Sequence, residues 1–146
     1  MDGVYTADPR LCPTARRLAR VSYADMYALS HAGAQVLHDK CVALAQERGV
    51  EPEVRERRAD SVGTRICAEG EQRNAVGVTL RQEGVRATVT VVGRVSLALE
   101  KRVLAALNAA GVAADGVDAT ERTLSLHVPI ERAREALRTV HDAVIE

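Results

Sequence analysis

The stretch from residue 75 to residue 144 constrains the fold most, because its hydrophobic period switches in a fixed order. "AVGVTL" (75–80) and "RATVTVVG" (86–93) are rich in β-branched residues and flank "RQEG", a hairpin signal. "SLALEKRVLAALNAAG" (96–111) then changes to the helical period. Leu99, Val103, Leu104 and Leu107 form its inner stripe, Ser96 is its cap and Gly111 its stop. "VAADGVDAT" and "TLSLHVPI" read as two further strands joined at Glu121–Arg122. "ERAREALRTVHDAVIE" closes the series as a helix with Ala133, Leu137, Val140 and Val144 inward. The order is β-β-α-β-β-α. A ferredoxin-like unit normally ends with a strand after its second helix. Here the strand at 75–80 is expected to fill that vacancy, since three strands alone would leave an open edge. The expected class is α+β: a four-stranded antiparallel sheet with one permuted strand and two helices on one face.

The first half is patterned more weakly. Residues 1–20 read as loop, punctuated by Pro9 and Pro13, each of which disfavours helix in the residue before it. "SYADMYALS" starts a helix, with Ser22 and Asp25 in capping-box spacing and Met26 and Leu29 inward. Gly33 makes a joint. "AQVLHDKCVALAQERG" (34–49) reads as a second helix, with Leu37, Cys41, Leu44 and Ala45 on its apolar stripe. "VEPEVRE" is an edge strand, because Pro52 has no N–H to donate. A short strand is expected at Arg65–Cys67. The boundary between the two units falls near residues 68–73, which gives domains of 1–68 and 74–146.

Composition excludes several function classes. The formal net charge is zero, and the chain has three Tyr with no Phe or Trp. A phosphate-tracking surface and a base-stacking platform are both unsupported, so no nucleic-acid partner is expected. No apolar run is long enough to span a bilayer, and the N-terminal residues do not read as a signal peptide. Cys12, Cys41 and Cys67 are too scattered for a disulfide framework or a CxxC pair. A reduced, cytoplasmic protein without a cofactor or metal is the expectation.

Several segments together resemble aspartokinases. "DGVYTADPR" is similar to a late nucleotide-binding loop of the kinase domain. "SYADMYALSHAGAQVLHDKCVALAQERGVEPEVR" resembles the two helices and strand that close that domain, and "DSVGTRI" the segment leading out of it. "RATVTVVG", "LAALNAAGV" and "EALRTVHDAVI" resemble the regulatory ACT domain that follows. The resemblance implies a small helical remnant of an amino-acid-kinase domain followed by one ACT-like domain. The family's larger N-terminal portion, with its phosphate loops and catalytic Lys, has no counterpart among these residues, so no aspartate kinase activity is expected of this chain alone. Tyr5, Arg10, Gln35 and Val36 match the family's nucleotide loop, with Gln35 where the family usually has Lys. The ACT effector loop is shorter than usual and lacks a Pro-Gly. Gly93, Arg94 and Ser96 are the candidate carboxylate binders, with Asp115 as a partner for an amine.

His38-Asp39-Lys40-Cys41 is the densest reactive cluster. As an acid–base or nucleophilic site together with Tyr5, it would need His38 and Cys41 within hydrogen-bond reach. The plainer reading makes Cys41 a small core residue and His38 a helix-edge group. His127 and His141 read as solvated, and "RERR" (55–58) as a charge-balanced solvated loop. Three functions follow. The first is a regulatory, amino-acid-binding or partner-docking module that forms a homodimer through ACT-type sheets. The second is a repurposed small enzyme of a specialised pathway. The third is a small regulatory subunit of a separate aspartokinase.

Overall fold

The computed structural model describes residues 2–56 and 62–145. Arg57 and Arg58, part of the expected "RERR" loop, lie outside the described residues. Two sheets organise the chain. The first has three strands: β1 (Arg20–Ser22), β2 (Glu53–Val54) and β3 (Thr64–Cys67). Strand β3 is central, parallel to β1 and antiparallel to β2. Helices α1 (Tyr23–His31) and α2 (Asp39–Glu47) belong with it. The second sheet has four antiparallel strands in the order β4-β5-β7-β6, from β4 (Ala75–Glu83), β5 (Arg86–Gly93), β6 (Val117–Ala119) and β7 (Thr123–Pro129). Helix α3 (Leu97–Ala109) and helix α4 (Ala133–Val144) complete it. The permuted strand sits where the pattern requires, with β4 at the edge beside β5.

Local chemistry explains most element ends. Ser22 caps α1 by accepting from Asp25 N–H at 3.1 Å, and Ser96 caps α3 by accepting from Leu99 N–H at 3.1 Å. Gly84 takes a φ of 60° in the two-residue turn joining β4 to β5. That conformation suits glycine in tight hairpins. Pro52 precedes the edge strand β2, and its carbonyl accepts from Ile66 N–H at 2.9 Å.

Three expectations need correction. Residues 1–20 are not all loop: Tyr5 bridges Arg17, and β1 begins at Arg20. A three-residue strand has no readable alternation and forms because β3 supplies its partner. Helix α2 starts at Asp39 rather than Ala34, with His38 as its cap. Its buried side chain is Val42, while Cys41 is exposed and Leu44 is 46% exposed. The inward face of so short a helix is set by where α1 lies. Third, the four-stranded sheet is not covered on one face alone. Ala87, Val89, Val91, Leu124, Leu126 and Val128 meet α3 and α4 through Leu99, Val103, Leu107, Leu137 and Val140. On the opposite face, Val76 and Val92 join Met26 and Leu29 of α1 with Leu18, Val21 and Ile66. Among the described residues, no helix is long and apolar enough to cross a membrane.

Several polar contacts fasten the two units. Thr6 C=O accepts from Val78 N–H at 2.7 Å and so covers part of the exposed edge of β4. Thr79 Oγ1 donates to Ala32 C=O at 3.2 Å. Arg122 pairs with Asp25 at 2.9 Å. Gly77 lies under α1, where an added Cβ would stand 3.0 Å from Leu29 Cδ2.

Two substitutions test this packing. Leu29→Ala removes the α1 contact with the sheet and is expected to cost about 3 kcal/mol of unfolding free energy. A urea unfolding curve shifted by far less would separate α1 from the shared core. Gly93→Ala places a Cβ 2.2 Å from Asn74 C=O. It is expected to cost about 2 kcal/mol or more by forcing β4 and β5 apart; unchanged thermal unfolding would contradict that close approach.

Candidate functional site

The loop after Gly3 folds on itself through Asp8. Its backbone carbonyl accepts from Leu11 N–H at 3.0 Å and Cys12 N–H at 2.9 Å. Its carboxylate accepts from the Arg10 backbone N–H at 2.9 Å and from the guanidinium at 2.8 and 3.1 Å. Hydrogen bonding from Arg10 holds the Asp8 carboxyl below its ordinary acidity range. This loop, the segment after α1 and β4 enclose a cleft of about 230 Å³. Tyr5, Arg10, Gln35 and Val36, separated in the sequence, all line it. The cleft is poorly charged for a polyphosphate. Arg10 is already paired with Asp8, and Gln35 is neutral. Tyr5 Oη donates to Asp2 at 2.9 Å, and that bond, followed by desolvation, raises its pKa.

The His38 cluster is arranged around Asp39 rather than around a thiol. His31 Nδ1 lies 3.2 Å and His38 Nδ1 3.0 Å from the two Asp39 oxygens. The hydrogen bond from His31 is the leading cause that lowers the Asp39 pKa. His38 Nδ1 also accepts from Lys40 N–H at 3.2 Å, as a helix cap. The backbone N–H of Cys41 donates to His38 C=O at 2.9 Å, but no hydrogen bond joins the His38 ring to the Cys41 thiol among the described residues, so the geometry of a nucleophile and its base is not formed. The core reading of Cys41 fails as well, because the residue is exposed.

The expected effector residues divide between two places. Gly93 and Arg94 stand where β5 meets the start of α3. Gly93 N–H donates to Arg122 C=O at 2.9 Å, and Arg94 N–H donates to Asn74 C=O at 2.7 Å. A groove of about 500 Å³ opens there, lined by Arg20, Glu71, Gln72, Arg73, Asn74, Arg94, Leu99 and Arg102. Glu71 is occupied: it accepts from Ala19 N–H at 2.6 Å and pairs with Arg73 at 3.5 Å. The guanidinium groups of Arg20, Arg94 and Arg102 carry no ion pair or hydrogen bond among the described residues. Ser96 spends its hydroxyl on the α3 cap. Asp115 lies at the other end of β5, paired with Arg86 at 3.5 Å. The eight residues of β5 separate these ends by roughly 23 Å. One protomer does not bring Asp115 to Arg94.

Two histidines differ from their expected solvation. His127 is half-buried, with Nδ1 3.1 Å from Thr88 Oγ1. His141 is 2% exposed, with Nε2 2.8 Å from Thr6 Oγ1. Its spacing was the available signal: it follows Leu137 by four residues, on the inward stripe of α4. Asp142 beside it has a lowered pKa, chiefly through the hydrogen bond from Thr14 Oγ1 at 2.7 Å.

Comparison with known proteins agrees with this geometry. Residues 1–56 match the model of the amino acid kinase family. An aspartokinase of Thermus thermophilus is 30% identical over 155 aligned positions, covering 99% of this chain and 38% of that enzyme. An aspartokinase of Mycolicibacterium smegmatis is 36% identical over 96 residues, covering 64% of this chain and 23% of that enzyme. The structure of E. coli aspartokinase III in complex with aspartate and ADP superposes with a TM-score of 0.89 at 16% identity, covering 100% of this chain and 51% of that one. The chain thus spans well under half the length of these curated relatives. Sequence similarity that runs from end to end of this chain, together with a shared fold, relates it to the aspartokinase family.

Proposed function

We propose that this chain is a regulatory module that binds a small amino acid at the groove between Arg20, Arg94 and Arg102. The carrying observation is three unpaired guanidinium groups around a concave site at the N-terminal end of α3. Carboxylates are bound well by guanidinium forks and helix N-termini. The neighbouring backbone is anchored by the Arg94 N–H to Asn74 C=O bond, so a ligand there touches β1 of the first sheet, the connector, and α3 of the second unit. Binding is therefore felt by both units. The four-stranded sheet pairs with a second copy or with the corresponding sheet of a partner kinase, and this is how occupancy reaches another chain. Phosphoryl transfer is not the role of the residues gathered here. Such chemistry rests on positioned cations around the phosphates, whereas the 230 Å³ cleft offers Gln35 and an Arg10 already held by Asp8.

The tests are direct. A cognate amino acid at a hundred times its Kd is expected to add about 2.7 kcal/mol to unfolding, seen as a rise in Tm. Arg94→Ala is expected to weaken that binding about tenfold or more, as loss of a charge-assisted hydrogen bond does. Absence of a Tm shift with every proteinogenic amino acid would overturn the sensing role. ATP with Mg²⁺ is expected to leave Tm unchanged; saturable stabilisation by ATP would return the cleft at Tyr5 and Gln35 to nucleotide binding.

A further inference from the structure

The geometry points to a binding site for a thiophilic divalent cation of the zinc class, formed by Cys12 Sγ, His141 Nδ1 and the Asp142 carboxylate. One ligand atom from each of these residues lies within 4.8 Å of the others. Tetrahedral zinc, with bonds of about 2.0 to 2.3 Å, needs such atoms roughly 3.5 Å apart, a closure that side-chain rotation supplies. The donor set is selective. A thiolate with an imidazole favours zinc and its neighbours over magnesium or calcium, which prefer oxygen. The thiolate and the carboxylate together balance the charge of the cation. Cys12 is 0% and His141 2% exposed, while Asp142 is exposed and opens the site to solvent. Thr14 Oγ1, 3.4 Å from Cys12 Sγ and 2.7 Å from Asp142 Oδ1, stands at the remaining position, which it or a water molecule fills.

The outer contacts suit ligation. His141 Nε2 is 2.8 Å from Thr6 Oγ1, which also accepts from Arg16 N–H at 2.9 Å. A hydroxyl oxygen has two acceptor positions. Nε2–H donates to the second, which leaves the lone pair of Nδ1 for the metal and fixes the ring, as second-sphere partners of metal-bound histidines do. On binding, the Cys12 thiol releases its proton to solvent. Position gives the site its consequence. Cys12 belongs to the loop that lines the cleft at Arg10, and His141 and Asp142 to the last turns of α4. Beside them, Arg138 Nε donates to Leu11 C=O at 2.7 Å. The cation clips the kinase-type loop to the ACT-type helix, independently of any ligand at Arg94.

Cobalt(II) reports a thiolate ligand through a charge-transfer band in the near ultraviolet. The tag-free, chelator-treated 146-residue chain is expected to take up one equivalent with that band, and Zn²⁺ to displace it and raise Tm. Cys12→Ser abolishes the band. Asp142→Asn, an exposed change that leaves folding intact, weakens binding about tenfold or more. Cys41→Ser leaves both unchanged. Cobalt bound without a thiolate band, a band lost in Cys41→Ser instead, or unaltered affinity in Asp142→Asn would each overturn the site.

Discussion

Pairing of β4 with β5 is the contact on which both halves of the molecule depend. Strand β4 comes from before the βαββα series that it completes, and it lies at the sheet edge with α3 and α4 on one side and α1 on the other. Val78 faces α3 and α4, whereas Val76 faces α1. A register irregularity between Ala75 and Gly77 lets neighbouring residues serve the two cores. Gly93 is required because a backbone carbonyl occupies the space a Cβ would take, and at Gly77 a Cβ would press against a leucine methyl. The connector at residues 68–74 therefore joins units whose hydrophobic clusters already share a sheet.

This sharing gives the chain a physical route for regulation. The arginine groove touches β1, the connector, the start of β4 and α3. The loop of Asp8 and Arg10 touches β4 through Thr6 and α4 through Arg138 and His141. A ligand that tightens either place acts on elements that also hold the other. Close-packed interiors transmit such displacements because they have little free volume.

The second half was legible in the sequence to within a few residues. Its strands and helices are long, their periods differ, and Ser96, Gly84 and Gly111 punctuate them. Tyr5, Arg10, Gln35 and Val36, grouped in the sequence by a resemblance carried by several ordered segments, line one cleft. The first half was read less well. The sequence pattern begins helix α2 at Ala34 and turns Cys41 inward, because nine residues with mixed polarity do not state which face is covered. Asp115, expected to face an amine beside the carboxylate binders Gly93, Arg94 and Ser96, lies at the opposite end of β5, a separation that strand length and register set and no local motif states.

The sequence by itself determined the element types of residues 75–144, the permuted edge strand and the family resemblance, because hydrophobic period, capping and ordered motifs are local properties of the chain. Tertiary structure alone decided that α1 covers the back of the ACT-type sheet, that Arg20 meets Arg94 and Arg102 with no partner for the three guanidinium groups among the described residues, and that Cys12 stands beside His141. Those results depend on which surfaces pack together. Buried area and sheet register fix that choice, and neither is written in any single window of residues.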